Sequence, residues 1–67
     1  MLREPRLHDR VHLTRPVGAA PAGASGTIVL VGDGWYEVEV FDADGETIDL
    51  FTLSDEDFEL GEDAAAA

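Results

Sequence analysis

Residues 27–40 read Thr-Ile-Val-Leu-Val-Gly-Asp-Gly-Trp-Tyr-Glu-Val-Glu-Val, and this stretch decides the fold class. Its first five residues are mostly β-branched, which favours an extended strand. Asp33-Gly34 then separates two apolar runs with a dipeptide that is typical of a two-residue hairpin loop. From Tyr36 onward, apolar and acidic residues alternate as they do on a strand with one buried face. The stretch therefore predicts a β-hairpin.

A shorter strand and a long loop precede this hairpin. Val11 and Leu13 alternate with polar residues, which indicates a half-buried strand that ends at Pro16. Residues 16–25 (Pro-Val-Gly-Ala-Ala-Pro-Ala-Gly-Ala-Ser) are uncharged and rich in small residues, Pro and Gly. Such a composition predicts a surface loop between the first two strands.

Two more strands follow the hairpin. Residues 42–45 (Asp-Ala-Asp-Gly) are suited to a three-residue loop whose glycine takes the left-handed conformation. Residues 46–53 then form a strand. Ser54 is a good N-cap, and the three acids after it are favoured in the first turn of a helix, so we predict a single helical turn there. Residues 58–60 form a brief closing strand.

The order of these elements predicts an all-β fold. It comprises five short strands, a long loop after strand 1 and one helical turn before the last strand, and this order resembles that of SH3-like small barrels. The region 11–31 resembles the KOW type of that fold, in which a Gly-bearing loop leads into a Gly-Thr-Ile-Val strand. We therefore expect an N-terminal arm over residues 1–6, a five-stranded SH3-like barrel over residues 7–60 and a flexible acidic and Ala-rich tail over residues 61–67.

Several segments also resemble a family of small bacterial proteins known only as a domain of unknown function. The family is marked by a Glu-Val-Glu-Phe strand, and here Val40 stands in place of the Phe. The resemblance implies a small-barrel fold and an association with toxin-like genes, and it carries no assigned catalytic residue. The matching segments are Asp9–Thr14, Gly26–Val29, Tyr36–Val40, Asp44–Ile48 and Thr52–Leu53.

Charge is distributed unevenly along the chain. All four cationic residues are arginines within the first fifteen positions, all but two of the fifteen acids follow them, and the net charge is -11 on 67 residues. An acidic surface repels nucleic acid and anionic lipid and attracts basic partners. A basic protein is therefore the expected class of partner, and nucleic acid and membranes are disfavoured. The resemblance to the family implies that such a partner is toxin-like. The absence of lysine beside abundant acids is equally typical of adaptation to high salt.

The composition also bears on location. The chain has no Cys, so neither a disulfide nor a thiolate zinc site is expected. It shows no apolar signal segment, and its longest apolar stretch is too short to span a membrane. We therefore expect a cytoplasmic protein.

The two loop lengths predict a strand register, and the register predicts a core. With a two-residue loop at Asp33-Gly34, Val29 lies opposite Val38. With the three-residue loop, Val38 lies opposite Leu50 and Val40 opposite Ile48. The inward-facing residues are then Val11, Leu13, Val29, Val31, Tyr36, Val38, Val40, Ile48, Leu50 and Phe58.

The same register predicts an acidic outer face. It places Glu39 opposite Asp49, a like-charged pair that is unfavourable across a sheet unless salt or a cationic partner relieves it. The apolar residues of this face also need cover, and we expect it from the N-terminal arm with Arg3 and Arg6, from a second copy of the chain or from a foreign protein. The predicted partner-binding residues are Glu37, Glu39, Asp49, Ile28, Leu30, Phe51 and Trp35.

No pattern in the sequence indicates catalysis or metal binding. His8 and His12 have the spacing of helical zinc ligands, but on a strand this spacing separates the two rings by about 13 Å. Residues 42–46 resemble half of a calcium loop and lack its later glutamate. Ser25 and Ser54 have no neighbouring base. We therefore expect no enzyme activity, no metal and no cofactor.

Three functions are compatible with this sequence. The leading hypothesis is a non-enzymatic acidic protein-binding module, in its most specific form an antitoxin or immunity-type inhibitor that engages a basic partner. The second is a small nucleic-acid-binding barrel that uses the N-terminal arginines Arg3, Arg6, Arg10 and Arg15. The third is an accessory or structural domain of a salt-adapted, halophilic organism.

Overall fold

Residues 4–61 form a five-stranded antiparallel sheet in the computed structural model, which describes this part of the chain. The spatial order is β4-β3-β2-β1-β5, so the first four strands form a meander and the last returns to pair with the first. The all-β prediction is confirmed, as an open sheet with no helix among residues 4–61. Residues 1–3 of the predicted arm, including Arg3, and residues 62–67 of the predicted 61–67 tail lie outside the described residues. The strands are β1 (Arg10–Leu13), β2 (Ser25–Val31), β3 (Tyr36–Phe41), β4 (Thr47–Leu53) and β5 (Phe58–Leu60).

The long loop between β1 and β2 folds back onto the first strand. Val17 and Ala20 exchange backbone hydrogen bonds of 2.9 and 2.8 Å, which close a tight turn within the loop. The Leu13 N–H donates to the Ala24 carbonyl at 2.9 Å, and the Gly23 N–H donates to the Leu13 carbonyl at 2.8 Å. The loop therefore continues the hydrogen bonding of β1 and contributes Ala20 to the core.

A β-bulge at Val29 changes the register predicted for β2 and β3. Next to the hairpin loop the prediction is confirmed, since Val31 pairs with Tyr36, but past the bulge Ile28 and not Val29 pairs with Val38. One extra residue in a strand reverses the direction of every side chain beyond it. Ile28 is therefore fully buried, whereas Val29, predicted for the core, is 37% exposed. Val31 was also predicted for the core and is 46% exposed, because it lies at the end of the hairpin.

A second bulge, at Ile48, has the same effect on β3 and β4. Val40 pairs with Asp49 rather than with Ile48, and Glu39 pairs with Leu50 rather than with Asp49. Leu50, predicted for the core, is consequently 50% exposed. The predicted opposition of Glu39 and Asp49 is wrong for the same reason, because residues directly across a sheet share a face and these two do not face each other.

The core lies between the inner face of the sheet and the long loop. Tyr36 packs edge-on against Phe58, with ring centroids 5.3 Å apart. Gly26 allows β2 and β3 to approach closely, because a Cβ at this position would lie 2.8 Å from Val38 Cγ1. The buried apolar residues are Val11, Leu13, Ala20, Ile28, Val38, Val40, Leu53 and Phe58.

The segment between β4 and β5 is a tight turn, and the predicted helical turn is not confirmed. The Asp57 N–H donates to the Ser54 carbonyl at 3.0 Å, which closes a four-residue turn. The Ser54 N–H and Oγ donate to Asp57 Oδ2 at 3.0 and 3.2 Å. The side chain that accepts a backbone N–H is therefore that of Asp57, and not that of the predicted cap residue Ser54.

Candidate functional site

Two carboxylates on the outer face of β3 are held in position by threonines of β4. The Thr47 Oγ1 donates to Glu39 Oε2 at 2.6 Å, and the Thr52 Oγ1 donates to Glu37 Oε1. Thr52 lies directly opposite Glu37, so this bond follows the strand register. Both glutamates are half-buried. Their carboxylates are therefore already oriented in the free chain.

Exposed leucines flank these carboxylates. Leu30 of β2 pairs with Glu37, and Leu50 of β4 pairs with Glu39, so the four side chains share the outer side of the sheet. Leu30 is 46% exposed and Leu50 is 50% exposed. We call Leu30, Glu37, Glu39 and Leu50 the acidic outer face.

Trp35 extends the exposed apolar surface at the tip of the β2–β3 hairpin. Its indole packs against Gly32, where a Cβ would overlap the ring, and the Gly32 N–H donates to the Trp35 carbonyl at 2.8 Å. The Trp35 side chain nevertheless remains 40% exposed. Trp35 is one of the residues predicted to bind a partner, and it lies at the surface beside the acidic outer face.

Asp49 lies apart from Glu37 and Glu39. It pairs with the buried Val40, so its side chain is directed to the opposite side of the sheet at the edge of β4. The Asp49 Oδ1 accepts a hydrogen bond of 2.7 Å from the Leu50 N–H. The prediction that these three acids share one face is wrong for Asp49.

Two further residues predicted for the outer face point inward. Ile28 is fully buried in the core. Phe51 pairs with Val38 and is half-buried against the core, beside Gly18, where a Cβ would lie 2.9 Å from Phe51 Cε1. Both corrections follow from the two bulges, which reverse the side chains beyond them.

Residues 6–9, which connect the predicted N-terminal arm to β1, are attached to β2 on the side that faces away from β3. The His8 N–H donates to the Ile28 carbonyl at 2.7 Å, and the Ile28 N–H donates to the Asp9 carbonyl at 3.0 Å. The Arg6 N–H donates to Asp9 Oδ2 at 2.7 Å, which closes a turn just before β1. These bonds fix the backbone of residues 6–9 beside β1 and β2 rather than across the acidic outer face.

Arg15 is tied to the turn before β5. Its Nε donates to Asp57 Oδ1 at 2.7 Å, and its Nη2 lies 2.7 Å from the same oxygen. The hydrogen bond from the Ser54 backbone lowers the pKa of Asp57 most, the Arg15 guanidinium lowers it further, and burial opposes both effects. One of the arginines predicted for a nucleic-acid patch is therefore engaged in an ion pair within the fold.

The two histidines and the acids of the β3–β4 loop lie in different elements of the fold. His8 precedes β1 and has a φ of 72°, whereas His12 lies within β1. Among residues 4–61 no group of three or more His, Asp or Glu side chains is arranged to hold a metal ion. The Asp42 Oδ1 accepts the N–H groups of Asp44 and Glu46 at 2.9 and 3.0 Å, so this carboxylate organises the β3–β4 loop. Asp42 also borders an open groove of about 350 Å³, lined by Arg10, Ser25, Thr27, Phe41, Asp42, Ala43 and Gly45.

A family match covers the segment that forms the sheet. The family model described as Domain of unknown function (DUF4926) matches residues 7–60, which include all five strands. The chain belongs to this family. No curated protein and no solved structure gives a significant match to it. Within residues 4–61 this DUF4926 chain has no apolar helix of a length that could cross a membrane.

The two threonines that orient the carboxylates in this DUF4926 domain are not evident from the sequence. Thr47 and Thr52 are five residues apart, so a regular strand would place them on opposite faces. The bulge at Ile48 brings both hydroxyl groups to the glutamates of β3. No local signal in the sequence marks this bulge, because Ile48 is an ordinary strand residue.

Proposed function

We propose that this protein is a non-enzymatic, acidic protein-binding module that engages a basic partner through its acidic outer face. The observation that carries the proposal is the orientation of Glu37 and Glu39 by β4 hydroxyl groups, between the exposed Leu30 and Leu50. In its most specific form the module is an antitoxin or immunity-type inhibitor of a basic, toxin-like protein.

The oriented carboxylates support recognition of a cation. A carboxylate has about four acceptor sites, so one threonine hydroxyl leaves each glutamate able to accept from an Arg or Lys. Such charge-assisted bonds are about twice as strong as neutral ones. Because Glu37 and Glu39 are ordered before binding, less side-chain entropy is lost when a partner arrives. The net charge of -11 also favours rapid encounter with a basic surface.

The flanking leucines support recognition of a protein rather than of a free cation. Protein interfaces combine an apolar centre with a polar surround. Leu30 and Leu50 expose about half of their side chains on either side of the glutamates, and Trp35 adds an aromatic group at the hairpin tip. Burial of these groups by a partner would add a favourable apolar contribution, which a small ion does not provide.

An SH3-like small barrel is the scaffold that we propose for this face. The meander of β1 to β4, with β5 returning beside β1, is the strand order of that fold. The bulges in β2 and β4 support strong strand bending, which closure of a small barrel requires. Because a fold hosts many functions, the acidic outer face and not the barrel is what supports protein binding.

The proposal is tested with a charge-neutral variant that keeps the threonine bonds. Glu37→Gln with Glu39→Gln retains an acceptor oxygen at each position and removes both charges. The matched control is Asp55→Asn with Glu56→Gln, which removes two exposed charges from the β4–β5 turn. Tagged wild type and both variants are used to capture proteins from cells of the source organism, and bound proteins are identified by mass spectrometry at increasing salt.

The expected result is a basic protein that binds stoichiometrically to the wild type and to the control variant. This protein is lost from the Glu37→Gln, Glu39→Gln variant, and salt releases it because the charges involved are near the surface. Undiminished capture by the outer-face variant, or equal loss from both variants, would contradict a specific role for the acidic outer face.

A further inference from the structure

We propose that the outer edge of β4 binds an extended, basic segment of the partner as an additional antiparallel strand. This inference rests on the proposed function and specifies how the partner binds. Main-chain hydrogen bonds supply the contact in such strand addition, and alternate side chains supply the specificity.

The edge itself is the first observation. Within residues 4–61, β4 pairs with β3 on one side and with no strand on the other. It is seven residues long, compared with three for β5 at the opposite edge. Lysines and prolines commonly protect edge strands from further pairing, and β4 contains neither. The only charged residue of β4 is Asp49.

The backbone direction of Leu50 and Thr52 is the second observation. The Leu50 N–H bonds to Asp49 Oδ1 at 2.7 Å, so it faces the open side of β4 rather than β3. Successive residues of a strand direct their backbone groups to alternate sides, so Thr52 directs its N–H and carbonyl to the open side as well. An added strand thus pairs with Thr52 directly and takes the place of the Asp49 carboxylate at Leu50.

The charges beside the edge select a basic occupant. Outward-facing residues of an added strand would lie opposite Leu50 and Thr52, about 10 Å from β3 at the usual strand spacing. An Arg at such a position can lay its aliphatic stem over Leu50 and direct its guanidinium to Glu39 or Glu37. The Asp49 carboxylate, once displaced, is a further acceptor for a cation.

A second copy of the chain is a poorer occupant of this edge. Antiparallel pairing of two β4 strands would bring two Asp49 side chains and two acidic outer faces close together. Like charges near each other across a sheet are destabilising, and each copy has a net charge of -11. The charge complementarity therefore favours a basic strand over self-pairing.

The test uses a defined probe, the capped heptapeptide Arg-Val-Arg-Val-Arg-Val-Arg, and two N-methylated versions of it. In antiparallel pairing with Leu50 and Thr52, the outward-facing arginines direct their N–H groups to β4. One version is methylated on the nitrogens of its second and third arginines, and the matched version on those of its second and third valines. Binding to the full chain is measured by calorimetry at low ionic strength, and amide exchange by NMR.

We expect the unmodified and valine-methylated peptides to bind and the arginine-methylated peptide to bind at least about tenfold more weakly, since it cannot donate to the edge. Amide exchange at Thr52 should slow when the unmodified peptide binds. Equal binding of the two methylated peptides, the opposite preference or unchanged exchange at Thr52 would overturn the proposal. Concentration-dependent protection of Thr52 without peptide would overturn it too, because it would identify a second copy as the occupant.

The outcomes separate this inference from the proposed function. Suppose that the Glu37→Gln, Glu39→Gln variant binds the peptide more weakly than the wild type does, but the two methylated peptides bind equally well. The role of the acidic outer face in binding is then supported, and strand addition at β4 is excluded. If that variant binds the peptide as well as the Asp55→Asn, Glu56→Gln control does, the proposed function fails regardless of the methylation result.

Discussion

Because of the bulge at Val29, truncation of two adjacent residues, Ile28 and Val29, should have very different effects on the stability of the domain. Ile28 is fully buried and Val29 is 37% exposed, whereas a hairpin without the bulge would bury Val29 and expose Ile28. Truncation of a buried Ile to Ala costs about 2–5 kcal/mol of the free energy of unfolding. Truncation of the partly exposed Val29 to Ala removes far less buried surface and should cost about 1 kcal/mol or less.

The size of the domain decides which variants are informative. At about 0.05–0.15 kcal/mol per residue, this chain is expected to have a total stability of about 3–10 kcal/mol. Ile28→Ala therefore approaches the limit of folding, and Ile28→Val, at about 0.5–1.5 kcal/mol, is the safer companion. Urea unfolding at 25 °C is followed by the fluorescence of Trp35, the only tryptophan, and by circular dichroism.

The order of the three midpoints tests the reasoning. Ile28→Ala should unfold at the lowest urea concentration, with Ile28→Val and Val29→Ala closer to the wild type. A slope of about 1 kcal/mol per M for so small a domain converts each kcal/mol into a midpoint shift of about 1 M. If Val29→Ala is as destabilising as Ile28→Ala, the bulge in β2 does not lie at Val29. The assignment of residues to the acidic outer face would then be wrong as well.

Two further predictions concern the β4–β5 turn and the close contact between β2 and β3 at Gly26. The pKa of Asp57 is lowered in the folded state, so the ionised group stabilises the fold above its ordinary pKa near pH 4, and this contribution disappears as the pH falls through the lowered value. Asp57→Asn should therefore melt below the wild type at pH 7, and the difference should narrow as the pH falls through the lowered pKa of Asp57. Arg15→Ala should cost about 1 kcal/mol or less because Arg15 is largely exposed. A difference in melting temperature that does not narrow as the pH falls below about 4 would contradict this linkage. Gly26→Ala should cost about 1–3 kcal/mol in urea unfolding, because its Cβ would lie 2.8 Å from Val38 Cγ1 and 3.0 Å from the Glu39 carbonyl oxygen, and an unchanged midpoint would show that β2 and β3 move apart freely.

Local patterns predict the strands and loops of this chain well. Five short strands and two hairpin loops follow from alternation and from loop residues such as Gly34 and Gly45, both of which take positive φ. Beside each loop the register also follows from loop length, as the Val31–Tyr36 pair shows. These features are determined within a few residues of sequence, which is why sequence reasoning reaches them.

The faces of the strands are less predictable because a single bulge reverses them. The bulges at Val29 and Ile48 shift each register by one residue. The unbulged alternative also gives an apolar inner face, since the run from Ile28 to Val31 is apolar at every position. A run without alternation therefore does not reveal which of its residues point inward. The bulged and the unbulged register are distinguished by the packing of β2 against the long loop and β1, which are distant in the sequence.

The candidate site is affected in the same way. Glu37 and Glu39 were predicted correctly as neighbours on one face, because they are two residues apart on a regular strand. Ile28 and Phe51 were assigned to that face from registers that extend across a bulge, and both are directed to the core. Leu50 was predicted for the core and lies on the acidic outer face instead, because its predicted register also extends across a bulge. The prediction was therefore correct within a strand and beside the hairpin loop, and it was wrong for pairs of strands beyond a bulge.

The charges of the acidic outer face have a second consequence, which concerns the neighbouring edge. An open seven-residue strand with an exposed leucine is a template for uncontrolled pairing between copies. Glu37 and Glu39 lie on β3, next to this edge, and Asp49 lies on β4 itself, where its carboxylate accepts the Leu50 N–H. These negative charges oppose pairing of β4 with another acidic copy, and under the proposed binding mode the same charges would attract a basic strand. Under the proposal of strand addition, this acidity would disfavour self-pairing and leave the edge to segments of opposite charge.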